Sequence, residues 1–246
     1  MRPVKQSSRG FTLVELSIVL IIVALLTGGL LMSLGAQREV QAIRDTEARL
    51  ASIQEALLGF AAANGRLPCP ATSTSNGVED PAGGGTCSAP YDGFVPAVTL
   101  GITPVDTQGY TVDAWGRRIR YAVSNANSNG FTTDNGMRTT GLASLAPDLR
   151  VCSAGPANAG NCPTGTTLSS SAVAVAYSLG PNGASGGAGT DEAANPNPNS
   201  AVTADRVFVS HPPSAPGAAN GEFDDLVVWL SPNILYNRMI AAGRLP

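Results

Sequence analysis

Histidine and lysine are almost missing from this chain of 246 residues, which has one of each, His211 and Lys5. His211 stands beside Pro212 and Pro213. A lone histidine leaves little basis for a zinc centre or for imidazole-based acid–base chemistry. Charged residues make up 13% of the sequence, about half the usual quarter, so ion pairs are not the main support of the fold. No Gly-Lys-Ser/Thr phosphate loop is present, and no local signature pairs a cysteine with a histidine. Nonspecific nucleic-acid binding needs clustered basic residues. The one local cluster, Arg117, Arg118 and Arg120, is short. Strand alternation would set Arg118 and Arg120 on one solvated face. The exclusions leave no catalytic constellation, and the chain reads as a non-enzyme.

What the chain does have begins at its N-terminus. Phe11 to Leu34 is an apolar run of 24 residues with one charge, Glu15. About 20 residues span a bilayer as a helix. Arg2, Lys5 and Arg9 precede the run without any acid, so the N-terminus is expected to stay cytoplasmic while the rest crosses. A cleaved secretory signal has a shorter apolar core followed by small residues; here the small residue, Gly10, comes before the run. A plain anchor fits the length but leaves Glu15 without a reason, since an unpaired carboxylate in hydrocarbon costs roughly 2.5–3.5 kcal/mol on insertion scales. Removing Arg2, Lys5 and Arg9 from the 15 basic residues leaves 12 against 18 acidic ones, a formal charge of −6.

Export makes disulfides the default for Cys69, Cys87, Cys152 and Cys162. Three connectivities are possible. Spacing favours Cys69–Cys87 and Cys152–Cys162, each closing a loop rich in Gly, Pro or Asn.

Past the apolar run the pattern turns amphipathic. Val40, Ile43, Leu50, Ile53, Leu57 and Phe60 recur at helical spacing. One helix is expected from about Phe11 to Asn64, roughly 80 Å long at 1.5 Å per residue. Asn64-Gly65 suits its C-cap, and Pro68 and Pro70 prevent it from resuming. Gly28, Gly29 and Gly35 weaken its middle. A short ordered segment follows at 94–102. Asp113-Ala114-Trp115-Gly116 reads as a turn into a strand through Val123. Further strands are expected over 172–179, 206–210 and 223–230, and a short helix over 234–243. In the last strand Leu226, Val228 and Leu230 should share one face, with Asp225, Val227 and Trp229 on the other. The acids Asp224 and Asp225 could hold a metal or act as acid and base; starting a strand is the preferred reading. Trp115 and Trp229 read as core residues.

Gly10-Phe11-Thr12-Leu13-Val14-Glu15, after a basic leader and before a long apolar run, resembles the N-terminal signature of type IV pilins and type II secretion pseudopilins. The resemblance implies that a prepilin peptidase cuts after Gly10 and methylates Phe11. It also gives Glu15 a partner, the amino group of Phe11 on a neighbouring subunit. That pair would set the register of one helix against the next, because a buried pair is far costlier to break than to keep. Residues 1–10 would be the leader, 11–34 the membrane half of the helix, 35–66 its amphipathic half, and 67–246 a periplasmic β-rich domain. The implied class is α+β, a long helix packed on an antiparallel sheet. Implied partners are other subunits, the peptidase, an inner-membrane assembly platform with its ATPase, and lipid before assembly. The chain would sit in the bacterial inner membrane and then in a periplasmic pseudopilus or an extracellular pilus. A signal-anchored periplasmic enzyme or binding protein is the competing class.

The resemblance extends beyond the N-terminus. The Asp113–Gly116 turn with Tyr121, and the stretch Ser178-Leu179-Gly180-Pro181-Asn182-Gly183 with Gly186 to Glu192, look like parts of the major pseudopilin. The second part looks like its calcium-binding loop. By position, Leu179 would offer a carbonyl, and Asn182, Asp191 and Glu192 would offer side-chain oxygens. No cofactor is required by this reading; calcium is possible. Asn182 stands where that family is expected to have an aspartate, and the Asn195-Pro196-Asn197-Pro198 run departs from the pattern.

Overall fold

The computed structural model describes residues 10, 12–155, 160–183, 189–195 and 206–246; at 27–34 and 36 it describes the backbone alone. The expected long helix is present as α1 (Leu13–Asn64), 52 residues without a break at Gly28, Gly29 or Gly35. It ends where the cap was expected. Gly65 has φ +73°, a left-handed conformation that glycine takes at little cost, and its amide donates to the Ala61 carbonyl. The chain divides into two units, one ending at Ala42 and the other Ile43–Pro246.

In the first unit, the described apolar side chains from Leu13 to Leu26 are exposed. Among the described residues no helix is long and apolar enough to cross a membrane. The span expected over 11–34 lies partly outside them, at Phe11 and at the side chains of 27–34. The described stretch alone is about two-thirds of what a span requires.

The second unit is layered. Sheet one has the order β1 (Gly93–Phe94), β2 (Arg120–Val123), β5 (Ala174–Ser178), β7 (Leu226–Leu230), antiparallel throughout. Sheet two has the order β4 (Thr167–Ala172), β3 (Leu149–Cys152), β6 (Val207–Val209), and β3 runs parallel to β6. The fold is α+β with an N-terminal helix on antiparallel sheets. The single sheet of the expectation is two, with one parallel pairing. Single helical turns α2 (Ala97–Leu100), α3 (Ala126–Asn129) and α4 (Gly136–Thr140) fill connections, and α5 (Pro232–Ala241) ends the chain.

One face of sheet one carries Tyr121, Val123, Ala174, Ala176 and Leu230. These pack with Leu50, Ile53, Leu57 and Leu58 of α1 and with Leu235 and Met239 of α5. The opposite face carries Ala122, Val175 and Tyr177 and meets Leu149, Val151 and Phe208 of sheet two. Every residue of β5 is buried for this reason. The alternation expected in β7 is present. Leu226, Val228 and Leu230 join the α1 side, and Val227 and Trp229 the other. On α1 the buried stripe starts later than its apolar residues suggest: Val40 is 48% exposed and Thr46 is fully buried. β3 and β4 were not expected. β3 is four residues long, β4 reads Thr-Leu-Ser-Ser-Ser-Ala, and their register shifts twice, so neither carries a clean apolar alternation.

Candidate functional site

Three carboxylates converge at the end of sheet one. Glu192 comes from a 3-10 turn (Glu192–Ala194), while Asp224 and Asp225 lie just before β7. One oxygen from each lies within 4.8 Å of the others. Glu192 and Asp225 are buried. Asn182 donates from Nδ2 to Glu192 Oε1 at 2.8 Å, and its amide donates to Asp224. Asn195 donates to Asp225 Oδ2 at 2.7 Å and, from the same nitrogen, to the Val209 carbonyl at 2.9 Å. Glu192 Oε2, Asp224 Oδ1 and Asp225 Oδ1 are buried with no protein donor. Burial, followed by the charges of Glu192 and Asp224, pushes Asp225 up to about 8 despite the Asn195 bond. Burial and then Glu192 push Asp224 up to about 7.

Buried acceptors without donors are costly, and three together ask for a cation. All the donors are oxygens, the set preferred by a hard ion such as calcium, which takes six to eight at about 2.3–2.6 Å. The backbone around the cluster is built for close approach. Gly180 has φ +59°, and a Cβ there would lie 2.2 Å from Asp224 Oδ1. A Cβ on Gly183 would meet the Leu179 carbonyl at 2.4 Å. These residues fit a bound divalent cation.

Of the positions singled out by the calcium-loop resemblance, Asn182 and Glu192 are brought to this place and Asp191 is not, while the Leu179 carbonyl lies under Gly183. Successive residues of a 3-10 turn point about a third of a turn apart. Asp191 accepts from the Gly155 amide at 2.5 Å and from Asn220 at 2.9 Å, and lies 3.2 Å from His211 Nε2. The His211 ring stacks on Phe223 at 3.9 Å. Asp191 and His211 edge a cleft of about 310 Å³ that also takes in Ser153, Ser214 and Asn220. Gly186 to Ala188 and Pro196 to Asp205 lie outside the described residues. Asp224 and Asp225 lie just before β7, as the strand-start reading has it, and also meet Glu192, which their place in the sequence does not show.

The arginine cluster divides. Arg118 pairs with Asp106 at 2.8 Å and Arg120 with Asp92 at 2.5 Å. Arg117 turns to the carbonyls of Gly180 and Pro181 at 2.9 and 2.5 Å. Both disulfides follow the local pairing, Cys69–Cys87 and Cys152–Cys162.

At the N-terminus, Gly10 is exposed and Phe11 lies outside the described residues. The Thr12 hydroxyl accepts from the Glu15 amide at 3.3 Å, and the Leu16 amide donates to the Thr12 carbonyl. Thr12 is thus the N-cap of α1. Glu15 stands exposed in the first turn. The family model described as the prokaryotic N-terminal methylation motif matches residues 5–31. The chain carries a type IV pilin/pseudopilin-type signature. Such a motif implies a membrane-anchored, pilin-like protein that is processed by a peptidase and assembles with other subunits. No curated protein matches the chain, and no solved structure does.

Proposed function

We propose that the chain is a structural subunit of a type IV pilus-like or type II secretion pseudopilus filament, cut after Gly10 and methylated on Phe11. The observation that carries this reading is the methylation motif over residues 5–31, with Glu15 the one charge in its apolar run. Before assembly the apolar half of α1 sits in the inner membrane and the Ile43–Pro246 unit in the periplasm. In the filament, neighbouring helices replace lipid. Packing drives that exchange, since lipid tails are already apolar. The Phe11 amine and Glu15 of successive subunits select the stagger.

The same reading places a divalent cation of the calcium class at Glu192, Asp224 and Asp225. Asn182, bonded to Glu192, would be a further oxygen donor beside it. The ion would supply positive charge that lets the three carboxylates ionise side by side. The supporting observation is the set of buried carboxylate oxygens without donors.

Mass spectrometry of the N-terminal peptide tests the filament reading, comparing filaments sheared from intact cells with the cell envelope. Methylated Phe11 as the first residue is expected. Abundance in the sheared fraction assigns a surface pilus; confinement to the envelope assigns a pseudopilus. An unprocessed chain beginning at Met1 in both fractions rejects the reading.

A further inference from the structure

We propose that the carboxylate cluster is tied to helix α1 through the turn at Asp113–Arg117, so that a divalent cation at the cluster sets how firmly that turn grips the helix at Thr46 and Arg49. The inference rests on the cluster being a cation site. Each link is a hydrogen bond between described residues of the Ile43–Pro246 unit.

At the cluster, Asn182 is held from two sides, by Glu192 and by Asp224. Next in the chain, the Pro181 and Gly180 carbonyls accept from the Arg117 guanidinium. The Gly180 amide donates to Ser178 Oγ at 3.3 Å, and Ser178 Oγ donates to Asp113 Oδ2 at 2.7 Å. The other oxygen of Asp113 accepts from the Trp115 and Arg117 amides at 3.0 and 2.8 Å, and the Asp113 amide closes the turn onto the Arg117 carbonyl at 2.7 Å. Asp113 thus sets the shape of the turn while holding Ser178. On the far side, the Ala114 amide donates to Thr46 Oγ1 at 3.1 Å. Arg49 donates to the Val112 carbonyl at 2.5 Å.

The connection is short and stiff. Only Gly180 and Pro181, the two residues Arg117 holds, lie between Asn182 and Leu179. Pro181 has a fixed φ, and Gly180 is pressed against Asp224. A cation draws the three carboxylates to one point; without it they are free to separate, and Asn182 cannot stay bonded to both Glu192 and Asp224 as they do. Its displacement moves carbonyls that Arg117 grips. Thr46 and Arg49 lie in the first two turns of α1 that belong to this unit. Coupling between two sites needs an element that both can bias; the Asp113–Arg117 turn is that element.

Hydrogen–deuterium exchange on the full chain in detergent micelles tests this, with excess calcium chloride or with chelator, alongside equilibrium dialysis of calcium. Calcium is expected to bind. Chelation is expected to raise exchange in peptides covering 44–50 and 111–118 by about fivefold or more, the lower end of ordinary coupling. In Arg117→Ala, calcium should still bind while the calcium-dependent change at 44–50 disappears. Thr46→Val, which removes the hydroxyl and keeps the bulk, should do the same if Arg117→Ala does not fold. Calcium binding with unchanged exchange at 44–50 in the wild-type chain overturns the coupling alone. Absence of calcium binding overturns the cation site and the coupling with it.

Discussion

Thr12 and Glu15 show how one residue can serve two purposes. A hydroxyl at the N-cap and an acid three positions later is the capping-box spacing, and the acid also meets the positive end of the helix dipole. In the proposed filament the same carboxylate pairs with the amine of Phe11 on a neighbour. Glu15→Gln separates the two, since an amide still caps but carries no charge. It is expected to be processed normally and to lower filament yield by about tenfold or more, since leaving one member of a buried pair alone costs several kcal/mol. Filament counts by electron microscopy, beside an N-terminal mass, check both halves; wild-type yield would reject the register role. Thr12→Ala should cost about 1 kcal/mol of helix stability. The motif was fully legible in sequence because it is local. Glu192 and the pair Asp224 and Asp225 were each legible as possible metal ligands, but their convergence was not, because it joins segments about 30 residues apart in sequence.

At the scale of elements, the helix and the β7 pattern could be read from period alone, while β3 and β4 could not. A hydroxyl-rich edge strand and a strand with two register shifts give no periodic signal. The loop after α1 that Cys69–Cys87 closes is supported by more than the disulfide. Arg66 and Glu79 form a buried bidentate pair at 2.8 Å. Glu79 also accepts from the Cys69 and Gly83 amides at 3.1 and 3.2 Å. Removing Glu79 leaves the buried Arg66 charge without its counter-ion, with only the Leu67 carbonyl and the Phe60 ring beside it. Glu79→Ala is expected to destabilise the fold by about 3–5 kcal/mol. Replacing Cys152 and Cys162 by serine should cost about 3 kcal/mol or less in the chain-entropy account. Urea unfolding of the full chain in micelles orders the two; a Glu79→Ala midpoint close to wild type would contradict the role given to the pair.

For the whole molecule, the carboxylate cluster makes stability depend on pH in an unusual direction. The folded values of Asp224 and Asp225 are raised to about 7 and about 8, above the ordinary 3.8 of an unfolded aspartate. In chelator the folded state therefore keeps protons that the unfolded state releases. As far as these groups decide it, their stabilisation is fully present below about pH 3.8 and is lost as pH rises from there through about 8. Calcium competes with those protons, so its stabilising effect should be larger at pH 8 than at pH 5. Thermal melts at both pH values, with calcium and with chelator, check the sign; equal effects at the two pH values would reject it. Helix length followed from period and the disulfide pairing from cysteine spacing, while the α+β class was what the pilin resemblance implied. The second sheet and the full set of acids depended on pairing between distant segments.

The positions of Glu192 and Asp224 have a topological consequence. The disulfides bridge residues 18 and 10 apart in sequence, and these closures persist in an oxidising compartment. An ion held by Glu192 and Asp224 would bridge residues 32 apart, a longer stretch than either, with a fastening that opens when the ion leaves. The molecule would then have two permanent staples and one removable clasp, and ambient calcium would decide whether the longest of the three loops is shut.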